Sequence, residues 1–285
     1  MANIKIVTDS TADLPKEVVD RLGITVIPLN VHFSNNEQYE DGVTLSPEEF
    51  YTKLKTAKEM PRTSQPSPLQ FENLYKKLKQ EGAEQILSIH LSSALSGTLQ
   101  AATIAKEAVA EQIDVHVCDS KRASYAIGVI VAEIAEVAAN GASYAACVER
   151  LEQMLEETQV YFLVDTLEYL QKNGRIGKAS ALFGSLLKVK PILSLNKEGE
   201  VYPHERVRGQ KKAIERLISL LEEEYGQAAV HVGAFHAENE SLAKELMAQV
   251  EERFNVSSRI ITTIGAVIGA HVGPGTVALT MSPAK

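Results

Sequence analysis

The chain of 285 residues carries 29 basic and 37 acidic side chains, which gives it a formal net charge of −8. A negative net charge repels phosphate backbones and anionic lipid surfaces, so the composition argues against nucleic-acid binding and against stable membrane insertion. The length suits two domains that share a cleft.

In the first half, short runs of β-branched residues alternate with longer segments of helical period. Strands are predicted at "IKIVTD" (4–9), "ITVIPLNVHF" (24–33), "QILSIHLS" (85–92) and "IDVHVCDS" (113–120). Helices are predicted from "DLPKEVVDRLG" and over 46–58, 67–82, 97–110, 124–140 and 143–158. This alternation predicts an α/β domain over residues 1–160, with a parallel, Rossmann-like sheet covered by helices on both faces.

The second half reads differently, because it contains a predicted hairpin. In "KPILSLNKEGEVYPHERVR" (190–208), two strands are joined by a Glu-Gly turn, which implies antiparallel pairing. Further strands are predicted at 160–166, 229–237, 258–266 and 276–282, and helices near 167–177, 209–225 and 239–254. The sequence therefore predicts a second, α+β domain over residues 161–285 with a mixed or antiparallel sheet, and a ligand tunnel between the two domains.

Targeting and redox signals are absent from the sequence pattern. The N-terminal "MANIKIVTDST" enters a strand directly, so no secretory signal is expected. The apolar segment 123–139 contains Glu133 and Glu136, which predicts a buried or amphipathic helix and not a membrane span. Cys118 and Cys147 lack metal-ligand or redox-motif spacing and are expected to be reduced and buried. These features predict a cytoplasmic protein.

Hydroxyl side chains gather in loops at the predicted carboxyl ends of the first-domain strands. These loops are "TDSTAD" (8–13), "SSALSGT" (92–98) and "CDSKRAS" (118–124), and a fourth polar loop, "PRTSQPSP" (61–68), is held extended by three prolines. Ligands of open parallel sheets bind at this edge, so the loops predict an anion site built from neutral donors. No glycine-rich nucleotide-binding motif is present, and neither a cofactor nor a metal is predicted.

Local explanations for these residues remain open. Ser10 and Asp13 fit an ordinary helix start before Pro15, and Ser96 can act as a helix N-cap. Thr63 and Ser64 can satisfy the backbone of their own loop. Gly97 adds a functional hint, because it permits close approach to the amides at the start of the following helix.

His271 is the most informative of the seven histidines. It stands in "IGAVIGAHVGPGT" (264–276), where it either ends a short helix before Gly273 and Pro274 or faces the hydroxyl loops. His90, His116 and His231 lie in strand patterns and are expected in the core or on the sheet surface.

An imidazole facing hydroxyls can hold a carboxylate, and nearby aliphatic residues can line an apolar tunnel. The aliphatic candidates are Leu167, Ile192, Ile264 and Ile268. Such a tunnel suits an amphiphile, since each buried methylene contributes about 0.8 kcal/mol. Two alternatives are a serine hydrolase that uses Ser96, His271 and a carboxylate such as Asp119, and a regulatory module that binds another small anion.

Eight motifs resemble, in order, the DegV family of bacterial fatty-acid-binding proteins. They are "VTDSTADLP", "RTSQPSP", "LSSALSGT", "DSKRASYAIG", "LEYLQKNGRIG", "LKVKPIL", "RGQKKA" and "IGAHVGPG", and the resemblance extends from residue 6 to about residue 276. One departure is Asn173, where a glycine is usual; asparagine also tolerates a left-handed conformation, which would keep the turn. Another is Gly177 with Lys178, where a serine is common.

The resemblance implies two α/β domains with a long-chain fatty acid buried between them. It implies that Thr63 and Ser96 bind the carboxylate, that His271 contributes from the other domain, and that Gly97 allows close packing there. It also implies that a separate ATP-dependent fatty acid kinase converts the bound acid to an acyl phosphate, so that this chain is a carrier and not a catalyst.

Basic residues gain a role under this resemblance. Arg175 and Arg208, with Arg206 as an alternative to Arg208, would dock the kinase or contact its phosphates. The alternative for each is an ordinary surface or interdomain ion pair.

Overall fold

The computed structural model describes residues 3–34, 36–182 and 190–284. In chain order the first elements are β1 (Ile4–Asp9), α1 (Lys16–Leu22), β2 (Thr25–Ile27), β3 (Asn30–His32), β4 (Gln38–Glu40), α2 (Pro47–Thr56), β5 (Arg62–Ser64), α3 (Pro68–Gln80), β6 (Gln85–His90), α4 (Thr98–Val109), β7 (Asp114–Asp119), α5 (Tyr125–Ala139) and α6 (Tyr144–Glu157). They are followed by β8 (Gln159–Leu163), α7 (Glu168–Lys172), β9 (Lys190–Leu195), β10 (Val201–Val207), α8 (Gln210–Tyr225), β11 (Ala229–His236), α9 (Glu240–Arg253), β12 (Asn255–Thr263), α10 (Ala266–Val272) and β13 (Val277–Pro283).

The first sheet is parallel and has the strand order β2-β1-β6-β7, as the alternation predicts. Side chains alternate across its strands, so successive residues enter different cores. Ile6 and Leu87 pack with α5 on one face, whereas Val7 and Ile86 pack with α3 and α4 on the other. The sheet is therefore covered on both faces, and the predicted α/β class is confirmed.

The predicted strand 24–33 is wrong in its continuity. It breaks at Pro28 into β2, which joins the parallel sheet, and β3, which joins a separate antiparallel sheet of order β4-β3-β5. Proline has no backbone N–H to continue a ladder, and the freed N–H of Leu29 donates to Ser10 Oγ at 3.1 Å. The third strand of this sheet, β5, lies in the proline-rich loop and pairs Thr63 with Val31.

Capping boxes set the helices on either side of β5. Ser46 and Glu49 exchange side-chain and backbone hydrogen bonds at the start of α2, and Ser67 and Gln70 do the same at the start of α3. A proline follows each capping serine at the first helical position. These sharp starts hold the intervening strand in a fixed place.

The second sheet is mixed and has the strand order β10-β9-β8-β13-β11-β12. Only the β11–β12 pair is parallel among its described pairings, and β9 and β10 form the predicted hairpin, with Gly199 at φ 81° in its turn. The first three residues of the "LKVKPIL" motif (187–189) lie outside the described residues. The observed sheet confirms the α+β prediction for the second half.

Helix α5 packs against both sheets. It contacts β1 and β6 on one side and β11 and β13 on the other, and its residues from Tyr125 to Val131 are buried. One apolar cluster therefore continues from Ile6 on β1 through the helix to Phe162 on β8. Among the described residues, no helix is both long enough and apolar enough to cross a membrane. A division of the chain at residue 160 remains a prediction.

Both cysteines are buried, as predicted. The predicted cap at the start of α1 is wrong: the N-cap residue is Pro15, without a side-chain hydrogen bond. Ser10 instead binds Leu29, and Asp13 accepts a hydrogen bond from Gly265 N at 2.9 Å, 252 residues along the chain. Loop carboxylates of this kind can satisfy distant backbone groups as well as local ones, and the sequence carries no signal for the distant choice.

Candidate functional site

A narrow cavity lies between the loops of the first sheet and the inner face of the second. The empty space between its walls is about 860 Å³, including the part open to solvent, of which only about 90 Å³ can hold the centre of a water molecule. Most of the lining is apolar: Leu29, Leu91, Leu95, Ala123, Val160, Phe162, Leu170, Leu195, Val201, Phe235, Ile264, Val267, Ile268, Val272 and Ala278. A lining of this kind favours an apolar ligand.

Of the four residues predicted to line the tunnel, two are correct and two are wrong. Ile264 and Ile268 line the cavity. Ile192 is wrong, because it faces the opposite side of the second sheet and joins the core under α8 and α9. Its neighbour Leu193 belongs to the cavity side, as alternation along a strand requires. Leu167 is also wrong, since it is fully buried in the core and does not reach the cavity.

Polar side chains gather at one part of the cavity. Thr63 on β5 meets His271 on α10, Gln65 packs on Gly97, and Arg175 binds the carbonyl of Leu95 next to Ser96. All of these side chains line the cavity, as do Ser64 and Thr276. The structure thus brings together Thr63, Ser96, Gly97, His271 and Arg175 from four separate segments.

The pair of Thr63 and His271 has one unused donor. Thr63 Oγ1 lies 2.8 Å from His271 Nε2, while the buried His271 Nδ1 has no hydrogen-bond partner in the described part of the chain. Burial, reinforced by the charge of Arg175, lowers the pKa of His271 to about 4, so the imidazole is neutral at pH 7. A neutral imidazole carries one N–H and a threonine one O–H, and their mutual bond uses only one of these hydrogens. In either tautomer the other is free for an acceptor.

Ser96 supports the start of α4 without being its N-cap residue. That residue is Gly97, while Ser96 Oγ accepts from Thr98 N at 3.3 Å and lies 2.9 Å from Thr98 Oγ1. A Cβ on Gly97 would lie 2.5 Å from Gln65 Nε2, so the glycine admits the side chain of Gln65. Sequence reasoning missed Gln65, although it lies two residues from Thr63 and side chains two apart share a face of an extended segment.

The two predicted docking arginines lie in different places. Arg175 lines the cavity and donates to the carbonyl oxygens of Leu95 at 3.0 Å and Asn173 at 2.6 Å. Arg208 is exposed just beyond the end of β10, whose first residue, Val201, lines the cavity. Arg208 itself is not among the residues that line the cavity. Arg206 is exposed on the same strand.

The turn after α7 differs from its predicted form. Asn173 has φ −92°, and the left-handed residue is Gly174 at φ 71°. Asn173 instead donates from Nδ2 to the carbonyl of Ala270 at 2.8 Å, which ties the turn to α10. Gly177 is also left-handed, at φ 52°, and a Cβ there would lie 2.4 Å from the carbonyl oxygen of Val201.

The residues of a serine-hydrolase triad are not assembled. His271 Nε2 is engaged by Thr63 and not by Ser96, whose hydroxyl is bound to Thr98. Asp119 accepts from Ser93 and from Lys121 N instead of orienting the histidine. The part of the chain that the structure describes also holds no group of three or more potential ligands placed for a metal ion.

The other histidines lie where their strand patterns predict. His90 is fully buried at the end of β6, His116 lies on β7, and His231 lies on β11 beside Ser258. His271 ends the short helix α10, which closes at Gly273 with φ 76°. The helix-end interpretation of His271 and its position on the cavity are therefore both correct.

Comparison with known proteins shows close similarity over nearly the whole chain. A family model described as "Uncharacterised protein, DegV family" matches residues 3–284. A Thermotoga maritima protein named "Fatty acid-binding protein" is 37% identical over 280 residues, covering 96% of each chain.

Solved structures show the same similarity. A DegV family protein from Thermus thermophilus, described with "Fatty Acid Binding", matches with a TM-score of 0.92 at 36% identity, covering 99% of this chain and 100% of that one. DegV of Bacillus subtilis, described as a fatty acid binding protein, matches with a TM-score of 0.89 at 36% identity over all of both chains.

Proposed function

The chain belongs to the DegV family, and from that membership and the shape of its cavity we propose that it binds one long-chain fatty acid. The observation that carries the proposal is the division of the cavity into a polar cluster around Thr63 and His271 and a long apolar remainder. Fatty acids have the same division, with one carboxylate and an unbranched apolar tail.

The apolar walls supply the affinity. Each buried methylene contributes about 0.8 kcal/mol, so fifteen methylenes contribute about 12 kcal/mol before the costs of association. Charge-assisted hydrogen bonds at the head group contribute about 1.5–3 kcal/mol each. The apolar contacts therefore dominate retention, and the polar contacts fix which end of the ligand lies where.

The carboxylate lies at the polar cluster in this proposal. The free hydrogen of the Thr63–His271 pair donates to it, and Ser96 donates from the start of α4. The 12-residue α4 directs its first backbone N–H groups toward the same place, and the positive end of a helix dipole favours an anion. Gly97 contributes by letting Gln65 approach the cluster.

The chain acts as a carrier in this proposal and not as an enzyme. It presents the bound acid to a separate ATP-dependent fatty acid kinase, which forms the acyl phosphate; a partner that uses ATP places the chain in the cytoplasm. Arg175 lies at the head group and is suited to contact the transferred phosphate, whereas Arg208, outside the cavity, can only act in docking.

Mass spectrometry of the lipid released from denatured, purified protein tests the binding step. We expect a fatty acid in near-stoichiometric amount. Recovery of no lipid, together with no uptake of added palmitate, would exclude the proposal. Recovery of a different small anion would support a regulatory module instead.

Phosphorylation of the bound acid tests the carrier step. With kinase and ATP, Arg175→Ala should reduce acyl phosphate formation while palmitate stays bound, and Arg208→Ala should reduce it less. Arg253→Ala, a change at a half-exposed arginine on α9, serves as the control. Labelling of Ser96 by a fluorophosphonate would instead favour a hydrolase.

A further inference from the structure

The helix that carries His271 is held at its other end by two buried carboxylates. Asp13 accepts a hydrogen bond from Gly265 N at 2.9 Å, and Asp41 accepts one from Ala266 N at 2.9 Å. Asp13 follows β1 and Asp41 follows β4, so two loops from the first part of the chain converge on the start of α10. Neither hydrogen bond involves a residue of the polar cluster.

The two carboxylates are close together and nearly excluded from water. A Cβ on Gly265 would lie 2.6 Å from Asp13 Oδ1 and 3.3 Å from Asp41 Oδ1, so both oxygens flank one Cα atom. Asp13 is 9% exposed and Asp41 3% exposed. Asp13 also accepts from the hydroxyl of Ser124, and hydrogen bonding to Ser10 and to the backbone of Ala266 and Val267 partly offsets the rise that burial causes in the pKa of Asp41.

Two ionised carboxylates in such a place repel each other and lose their hydration. Burial raises the pKa of Asp41 to about 6, and burial together with the charge of Asp41 raises the pKa of Asp13. The protons of an interacting pair leave in steps that belong to the pair. The pair therefore keeps a proton to higher pH than two separate, exposed aspartates would.

The surroundings of the pair offer it little positive charge. The titratable and charged groups that face it are Asp9 on β1, Lys16 and Asp20 on α1, and Glu48 and Tyr51 on α2. Lys16 is exposed and already paired with Asp20 at 3.0 Å. Tyr51 donates its hydroxyl to the carbonyl of Ile264 at 3.0 Å and so ties the same end of α10.

The position of α10 determines much of the cavity wall. Ile264, Val267, Ile268, His271 and Val272 all line the cavity, and all belong to this helix or the residues just before it. Seven helical residues span about 10 Å, so a shift at the carboxylate end moves the whole wall.

We propose that Asp13 and Asp41 are positioning residues for the cavity, which fix α10 against the loops after β1 and β4 as long as one of the two carboxyl groups is protonated. This proposal rests on the proposed fatty acid binding. Loss of that proton leaves two adjacent negative charges, which push the start of α10 away and open the apolar wall. Ligand release is consequently faster at higher pH.

The test is the rate at which [¹⁴C]palmitate passes from the full-length protein to albumin between pH 5.5 and pH 8.5. The wild-type rate should rise about tenfold across this range, and the Asp41→Asn rate less than about twofold. Asparagine keeps an oxygen for Ala266 N but carries no charge. Asp20→Asn, which removes an exposed carboxylate of the same face, should follow the wild type.

A pH dependence of Asp41→Asn parallel to that of the wild type would overturn the proposal while leaving fatty acid binding intact. Asp13→Asn asks the same question if Asp41→Asn does not fold, because either change leaves a single carboxylate. Infrared spectroscopy gives a second readout: a protonated carboxyl band in the wild type that disappears as the pH rises from 5.5 to 8.5, and that disappears at lower pH in Asp41→Asn. Absence of that band from the wild type would overturn the proposal even if the protein bound no palmitate.

Discussion

Two histidines, His90 in the first sheet and His271 at the cavity, each lie among polar side chains, but the two groups differ in how fully they are hydrogen-bonded. In the first sheet, His90 Nδ1 lies 2.9 Å from Asp9 Oδ2, His90 Nε2 lies 2.7 Å from Ser88 Oγ, and Ser88 Oγ lies 2.8 Å from the hydroxyl of Tyr75. None of these four side chains is exposed to solvent. Every ring nitrogen has a partner, so this chain of contacts leaves nothing for a ligand.

The cavity centre also pairs a histidine with a hydroxyl side chain, but its hydrogen bonding is incomplete. His271 Nε2 has the hydroxyl of Thr63, but Nδ1 has no partner among the described residues. Buried polar groups are nearly always paired, and an unpaired one in a cavity indicates where a ligand completes the network. Hydrogen-bond satisfaction, and not residue type, therefore distinguishes His90 from His271, for which we propose a role in binding.

The largest effect should come from His90→Ala. It removes one of several donors to the buried carboxylate of Asp9, takes a partner from the buried hydroxyl of Ser88 and leaves a cavity in place of a fully buried ring, which together cost about 3–5 kcal/mol. Urea unfolding at pH 7 measures the loss. Tyr75→Phe, which removes only the last hydroxyl of the chain of contacts, should cost about 1 kcal/mol. A small effect of His90→Ala would show that the first centre is not structural.

The next largest effect should be on the pH dependence of unfolding, to which His271 contributes. His271 has a pKa lowered to about 4 in the folded state, against about 6.5 when unfolded, so the unfolded chain binds the extra proton between these values. Stability should therefore fall as the pH drops from 6.5 to 4. We expect His271→Gln to remove about 2 kcal/mol of this fall in the lipid-free protein.

Thermal or urea unfolding at several pH values measures that difference. Curves for the wild type and His271→Gln that stay parallel from pH 7 to pH 4 would contradict the assignment of a buried, neutral imidazole. The Asp13–Asp41 pair contributes with the opposite sign, because its raised pKa makes the folded state bind more protons, and it is common to both proteins.

Thr63→Val should affect binding more than folding. Valine keeps the shape but removes the hydroxyl, and we expect the Kd for palmitate to rise about tenfold, which corresponds to about 1.4 kcal/mol. Isothermal titration measures the change, and Thr63→Ser, which keeps the hydroxyl, should bind within about threefold of the wild type. Equal weakening by valine and serine would show that the methyl group and not the hydroxyl is used.

The smallest effect should come from Gly97→Ala. The new methyl group meets the end of the flexible Gln65 side chain, which can rotate away, and Gly97 has an ordinary φ of −77°. We expect a change below about 0.5 kcal/mol in stability and an approximately threefold weaker Kd for palmitate. Unchanged affinity would exclude Gln65 from the head-group site.

The contrast also explains what the sequence could and could not predict. Long strands such as β6 and long helices such as α5 follow from periodicity, because their burial pattern is continuous along the chain. The short strands β3, β4 and β5 do not, since three residues carry almost no period and their pairing spans up to 34 residues. The prediction also missed the break at Pro28 for the same reason.

The site was predictable where residues are marked by unusual local composition, as Thr63, Ser96 and His271 are. Asp13 and Asp41 were not, because an aspartate in a loop resembles an ordinary cap until its distant partner is known. Ile192 shows a third limit: Ile192 and Leu193 lie on opposite faces of β9 and both are buried, and the sequence does not say which face meets the cavity.

The position of α5 between the two sheets has a consequence for the order in which a ligand enters. The halves of the molecule cannot swing apart without breaking the core that this helix shares with both of them. Ser64 and Gln65, next to the polar cluster, are exposed, whereas Val160, Phe162 and Val201 are buried. A fatty acid bound as we propose would therefore enter tail first, and its carboxylate, last to arrive, would stay nearest the surface.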